Sequence, residues 1–153
     1  MVPGEEETVI NIVTEVFNEF VAPQYSEEGI TEFYKYANAT TLAERSKENH
    51  FTIIAERNNI TVAIIEIRDN SHISLFFNKA KFQRKGIGKQ LLNYAIGVSL
   101  QSNPNIQKIT VNSSPNATKA YRKMGFIVDG EEQCVHGIKF IPMSLELNTN
   151  KSN

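Results

Sequence analysis

Gln83-Arg84-Lys85-Gly86-Ile87-Gly88 stands between an apolar run, Ile73 to Phe77, and an amphipathic one, Lys89 to Leu100. The first is rich in residues that suit a strand. The second repeats Leu91, Leu92, Ala95 and Ile96 at helical spacing. Two glycines at the mouth of a helix let a ligand come close to the backbone. The first-turn N–H groups there lack intrahelical partners, so the place suits an anion. Lys79, Lys81, Arg84, Lys85 and Lys89 add local positive charge, although the chain as a whole carries a formal net charge of -1. A phosphate-bearing ligand is the expectation.

Upstream of this junction, Glu5 to Val21 carries Val9, Ile12, Val13, Val16, Phe17 and Phe20 on one helical face, and Pro23 ends it. Gln24 to Glu28 is expected as loop and Ile30 to Ala37 as a second helix, with Thr40 to Ser46 either a further turn or the approach to a sheet. Phe51 to Glu56, Ile60 to Arg68 and Ile73 to Phe77 read as strands. They are separated by Arg57-Asn58-Asn59 and Asp69-Asn70-Ser71, turns short enough to make an antiparallel meander.

Downstream, Asn103-Pro104-Asn105 stops the glycine-led helix, and Gln107 to Asn112 is the next strand. Reached by a strand–helix crossover, it should lie parallel to the strand before the junction. Ser114 is the expected N-cap of a helix with Pro115 at its first position, running to Met124, with Gly125 as its left-handed terminator. Phe126 to Asp129 and Ile138 to Leu147 are the last two strands. The class is α+β, with a mixed, mostly antiparallel sheet flanked by helices. One domain over residues 1–147 and a polar tail over 148–153 are expected.

The composition excludes several kinds of protein. At 153 residues, 41% hydrophobic and 22% charged, the chain suits one soluble domain, and its balance gives no global basic field for nucleic acid. Cys134, the single cysteine, excludes an internal disulfide, and three scattered histidines show no metal-ligand spacing. The acidic start does not read as a signal peptide, and no apolar run reaches membrane-spanning length. A cytoplasmic setting without nucleic acid, membrane or metal is expected. A P-loop is disfavoured, because Gly88 is followed by Lys89-Gln90 rather than Lys-Ser/Thr.

The element order and Gln83 to Gly88 together resemble the GNAT superfamily of acetyl-CoA-dependent N-acetyltransferases, whose cofactor motif is Gln/Arg-x-x-Gly-x-Gly/Ala at a helix start. A second stretch, Ala117-Thr-Lys-Ala-Tyr121-Arg-Lys-Met-Gly125-Phe126, is similar to that family's Ala-x-x-x-Tyr-x-x-x-Gly-Phe helix. Two departures accompany the match. Ser114 stands where many relatives have Asn, and Asn78-Lys79-Ala80-Lys81-Phe82 lacks the Val and Pro of the family's Val-x-Pro-x-Tyr.

The resemblance implies that Gln83, Arg84, Lys85, Gly86, Ile87, Gly88 and Lys89 hold the pyrophosphate of acetyl-CoA. It implies that Phe76, Phe77 and Asn78 line the pantetheine arm where two parallel strands part. An amide near Phe77 or Asn78 would polarise the thioester carbonyl, and Ser114 and Ala117 would complete the donor site. Tyr121 is implied as the general acid, its phenol protonated at neutral pH; the alternative is an ordinary core tyrosine. For removal of the amine's proton, Glu66, His72, Glu56, His136 and a water chain all remain open. Cys134 as a covalent acyl carrier is disfavoured for want of a base. The acceptor is a primary amine of a small molecule or peptide, bound between Gln24–Tyr36 and Glu131–Ile138. Tyr25, Glu27, Glu28, Phe33 and Tyr34 there suit a cation. The family includes many dimers, so a homodimer is allowed. A non-catalytic acyl-CoA-binding module is the other reading.

Overall fold

A computed structural model describes residues 1–83 and 86–147; Arg84, Lys85 and the tail expected over 148–153 lie outside the described residues. The elements are α1 (Glu6–Val16), α2 (Glu27–Tyr36), α3 (Ala39–Ser46), β1 (His50–Arg57), β2 (Ile60–Arg68), β3 (His72–Asn78), α4 (Ile87–Ser102), β4 (Lys108–Ser113), α5 (Thr118–Lys123), β5 (Ile127–Val128), β6 (Gln133–Val135) and β7 (Ile138–Glu146). They form one seven-stranded sheet in the order β1-β2-β3-β4-β7-β5, with β6 also pairing β7. All pairs are antiparallel except β3 with β4.

The meander forms as its turn chemistry demands. Asn58 and Asn59, and then Asp69 and Asn70, hold positive φ at both central positions (54° and 65°, 53° and 60°). Such turns match the right-handed twist of the strands on either side. β2 is buried on both faces. Val62, Ile65 and Ile67 join one core with Leu91, Leu92 and Ala95 of α4, while Ile64 joins another with Val9, Val13 and Val16 of α1 and Leu42 of α3. The sheet is therefore a middle layer with α1–α3 on one side and α4–α5 on the other.

Several local features differ from expectation. The first helix is regular only to Val16; Phe17–Val21 is a π-helical turn, followed by a 3-10 turn over Ala22–Gln24. Widening the turn accompanies full burial of Phe17, whose ring stacks on Phe33 with centroids 3.8 Å apart. Ser26 accepts from the Gly29 N–H (3.1 Å), so α2 begins within the expected loop. Asn38 likewise caps α3 through the Thr41 N–H (3.0 Å), making a true helix of the segment expected as a turn or sheet approach. Between the two last strands the chain inserts β6, whose turn to β7 uses His136 and Gly137 at φ 53° and 82°.

Ser114 departs from its expected role. It precedes a 3-10 turn over Pro115–Ala117 and makes no side-chain cap; its hydroxyl instead donates to Asn116 Oδ1 (2.8 Å). The α-helix proper starts after Ala117. With Pro115 beginning a tight turn, the Ser114 hydroxyl finds a nearby carboxamide before it finds a helix amide.

Candidate active site

Gly86 takes φ +80° and hands the chain into α4. An L side chain at such an angle is strained, which is why glycine stands there. The first bond of α4 runs from the Gln90 N–H to the Gly86 carbonyl (3.0 Å). The N–H groups of Ile87, Gly88 and Lys89 therefore have no acceptor among the described residues and carry the positive end of the helix dipole. A Cβ at Gly88 would meet only Phe76 Cζ (3.7 Å) and Asn78 Nδ2 (3.8 Å), ordinary contacts. Among the described residues nothing requires glycine there. Gln83 donates its side-chain N–H to the Asn78 carbonyl (2.9 Å), tying the loop to the end of β3.

β3 leads to this helix, and it leaves its parallel neighbour early. The β3–β4 register contains only His72 opposite Thr110 and Ile73 opposite Val111. β3 continues to Asn78 beside β2, and β4 to Ser113 beside β7. From Ser74 onward, then, the two strands run unpaired, and β3 continues toward the α4 N-terminus. Phe76 faces the α4–α5 side of the sheet and Phe77 the α1–α3 side. The Asn78 Oδ1 atom is buried and has no hydrogen-bonding partner among the described residues.

Tyr121 meets the unpaired part of β3 through Phe76, ring centroids 6.1 Å apart and edge to face. Its placement is built into its own helix end. Gly125, at φ +104°, donates to the Arg122 carbonyl (3.0 Å), and Phe126 donates to the Tyr121 carbonyl (3.0 Å). These are the two bonds of a Schellman terminus, with the accompanying apolar contact supplied by Phe126 on Tyr121 (5.3 Å). The spacing Tyr121…Gly125-Phe126 is thus a device that closes the helix and locks the tyrosine ring. Tyr121 is 8% exposed, and burial alone pushes its pKa above the usual phenol value. Ser114 and Ala117 lie half-buried on the turn leading into this helix, and Lys89 is exposed on the first turn of α4.

The residues left open for proton removal are scattered. Glu66 is 0% exposed and bound to Arg45 through Nε–Oε2 (2.7 Å) and Nη2–Oε1 (3.1 Å). The Ser74 hydroxyl donates to the same carboxylate (2.7 Å). So Glu66 is an interior ion-pair member without a path to solvent. His72 lies six residues before Asn78, about 20 Å along the strand, with Nδ1 2.8 Å from Thr110 Oγ1. Glu56 is exposed near the end of β1, at the same end of the sheet as Asn78 but two strands away, and His136 is exposed in the β6–β7 turn.

The two segments expected around an acceptor do meet. A Cβ at Gly29 would run into the Gly137 carbonyl, and one at Gly137 would lie 2.6 Å from the Gly29 nitrogen. The start of α2 therefore rests directly on the β6–β7 turn. Tyr25, Phe17, Phe33, Tyr34 and Phe77 form a continuous aromatic cluster beneath it. At the opposite edge, Asn116 Nδ2 donates to the Phe20 carbonyl (2.5 Å). Sequence reasoning did not find these contacts, although charge order held a signal. Residues 5–32 carry eight glutamates and no lysine or arginine, whereas residues 79–123 carry nine lysines and arginines and no acid.

Solved structures share this fold over nearly the whole chain. A GCN5-related N-acetyltransferase from Rhodopseudomonas palustris is 18% identical with a TM-score of 0.80, the match covering 96% of this chain and 92% of that one. The PaiA N-acetyltransferase from Thermoplasma acidophilum, in complex with coenzyme A, is 22% identical with a TM-score of 0.76, covering 94% and 93%. An aminoglycoside 6′-N-acetyltransferase complexed with coenzyme A is 10% identical with a TM-score of 0.64, covering 95% and 92%. At these identities the likeness is one of fold. The sequence model of the acetyltransferase (GNAT) domain matches residues 21–147, and the chain belongs to that family.

Proposed function

We propose that the protein moves an acetyl group from acetyl-CoA directly to a primary amine, with Tyr121 as general acid. The observation that carries this reading is the parting of β3 and β4 after Ile73, beside the Phe76–Tyr121 pair, which makes the space between these strands, leading to the α4 N-terminus, the cofactor cleft. The Ile87, Gly88 and Lys89 amides take the pyrophosphate, with Gly86 setting the turn. The freed edge of β3 over Phe76 to Asn78 takes the pantetheine arm by strand addition, and an amide there polarises the thioester carbonyl.

As the amine nitrogen bonds to the carbonyl carbon, the C–S bond breaks and the departing thiolate needs a proton. The Tyr121 hydroxyl supplies it. Burial makes this phenol a weaker acid than a free one, so it stays protonated between turnovers. The proton shed by the amine restores it through solvent. Glu66 is not the base, because its carboxylate is already held by Arg45 and Ser74. The acceptor lies under the Gly29–Gly137 contact against the aromatic cluster. The acid-rich α1–α2 segment beside it favours a cationic amine, of a small molecule or a peptide.

Calorimetry with acetyl-CoA followed by a thiol-release screen over polyamines, amino acids and peptides tests the reading. Tyr121→Phe should bind coenzyme A as the parent does and lose about 10²- to 10⁴-fold in acetyl transfer, the range usual for general acid–base groups. Binding without thiol release from any amine would instead mark a non-catalytic acyl-CoA module. An undiminished Tyr121→Phe rate would remove the acid role.

A further inference from the structure

We propose that Ser74, held by the buried Glu66–Arg45 pair, is a positioning residue that keeps the cofactor cleft open. In the β2–β3 ladder Glu66 stands opposite Leu75 and Ile67 opposite Ile73, so Ser74 is an extra residue with no partner of its own. A bulge of this kind bends its strand and increases its twist. The parallel β3–β4 pairing ends at Ile73, the residue immediately before the bulge. The bend and the parting of the strands coincide.

The bulge also decides which way the two phenylalanines point. Strict alternation would put Ile73, Leu75 and Phe77 on one face. Instead Ile73 and Phe76 share the α4–α5 core, and Leu75 and Phe77 share the α1–α3 core. One extra residue between Ile73 and Leu75 accounts for the change. Were Ser74 to drop back into the ladder, Phe76 and Phe77 would exchange faces. Phe76 would leave Tyr121 and Phe77 would leave Phe33.

What holds Ser74 out of the ladder is its hydroxyl, which donates to Glu66 Oε1 (2.7 Å). The carboxylate is itself fixed by two Arg45 N–H groups, and Arg45 lies over the Tyr36 ring at 3.6 Å and donates from Nη1 to the Tyr36 carbonyl. This chain of contacts runs from the end of α2 through α3 to the bulge. It gives the buried acid a task in the donor site without contact to the donor.

The inference rests on the proposed function for what the cleft binds, but the shape of the cleft can be read without ligand. Ser74→Ala, Ser74→Thr and the parent are compared by thermal melting, by amide hydrogen exchange at Leu75 to Phe77 in the ligand-free protein, and by coenzyme A calorimetry with kcat and KM. For Ser74→Ala the expected result is exchange about tenfold faster at these amides and coenzyme A affinity and kcat each reduced about tenfold or more. Ser74→Thr, which keeps the hydroxyl, should restore both. A folded Ser74→Ala protein with parental exchange and affinity overturns the proposal. If Ser74→Ala does not fold, Ser74→Cys, isosteric with a weaker donor, takes its place, with the same two readings for and against. A parent protein that fails to bind coenzyme A refutes the proposed function and leaves the exchange result to judge Ser74 on its own.

Discussion

Replacing Arg45 by methionine removes the guanidinium that pairs with a carboxylate that is 0% exposed. Glu66 would keep only hydroxyl neighbours, Ser74 at 2.7 Å and Tyr36 at 3.4 Å. Breaking a buried pair by deleting one member costs about 3–5 kcal/mol, because the remaining charge is left uncompensated. The Arg45 side chain is 10% exposed, so water can reach the gap, and the lower end, about 3 kcal/mol, is expected here. For a domain of this length that corresponds to a melting temperature lower by roughly 6–12 °C.

The double variant Arg45→Met/Glu66→Leu removes the charge together with its partner. It should recover to within about 1 kcal/mol of the parent, since apolar replacement of a whole buried pair is commonly neutral or stabilising. Urea unfolding followed by circular dichroism at pH 7 gives all the corners of the cycle by linear extrapolation. The double variant should regain stability without regaining coenzyme A affinity, since Ser74 has lost its acceptor. Two outcomes refute the reasoning: a loss under about 1 kcal/mol for Arg45→Met, or a double variant as unstable as the sum of its parts.

Gly125→Ala forces a side chain to φ +104° and sets its Cβ 3.0 Å from Leu145 Cδ1. A loss of about 1–2 kcal/mol is expected from the left-handed backbone alone. Scanning calorimetry checks it, and an unchanged melting temperature would contradict the Schellman assignment. The pKa of His72 is lowered by burial, with Arg68 adding to the effect and Asp69 opposing it, to about 4. As pH falls below the ordinary value of ~6.5, the unfolded chain takes up a proton that the folded one refuses. Stability should therefore decline from there down to about pH 4 and then level off in this respect. His72→Gln should flatten that part of the urea-midpoint curve, leaving the smaller share of His50, which burial lowers in the same direction. Equal slopes in the two proteins would show that His72 is not neutral when folded.

The anion-ready helix start could be read from Gly86 and Gly88, because it needs only local backbone: a left-handed residue and three amides without acceptors among the described residues. The same holds for the Tyr121 helix end, where Gly125 and Phe126 close a turn that starts at Tyr121 itself. The meander followed from turn residues two positions long. Such features are decided within about one or two turns of chain, where residue type is the main variable.

The cleft was a different matter. Nothing in His72-Ile-Ser-Leu-Phe-Phe-Asn78 marks Ser74 as the residue left out of the ladder; the bulge exists against β2, and its hydroxyl is satisfied by a glutamate eight residues earlier. Glu66 read as one acid among strand residues, because the arginine that makes its burial tolerable stands 21 residues before it, on a helix. The Gly29–Gly137 contact joins residues more than a hundred positions apart. Residue type along the chain was enough for the order of the elements apart from α3 and β6, for the anion-ready helix start and for the closed helix end that carries Tyr121. Only the tertiary structure decided where the parallel strands part and which acid is spent inside the core, since a bulge and a buried charge depend on partners from distant segments.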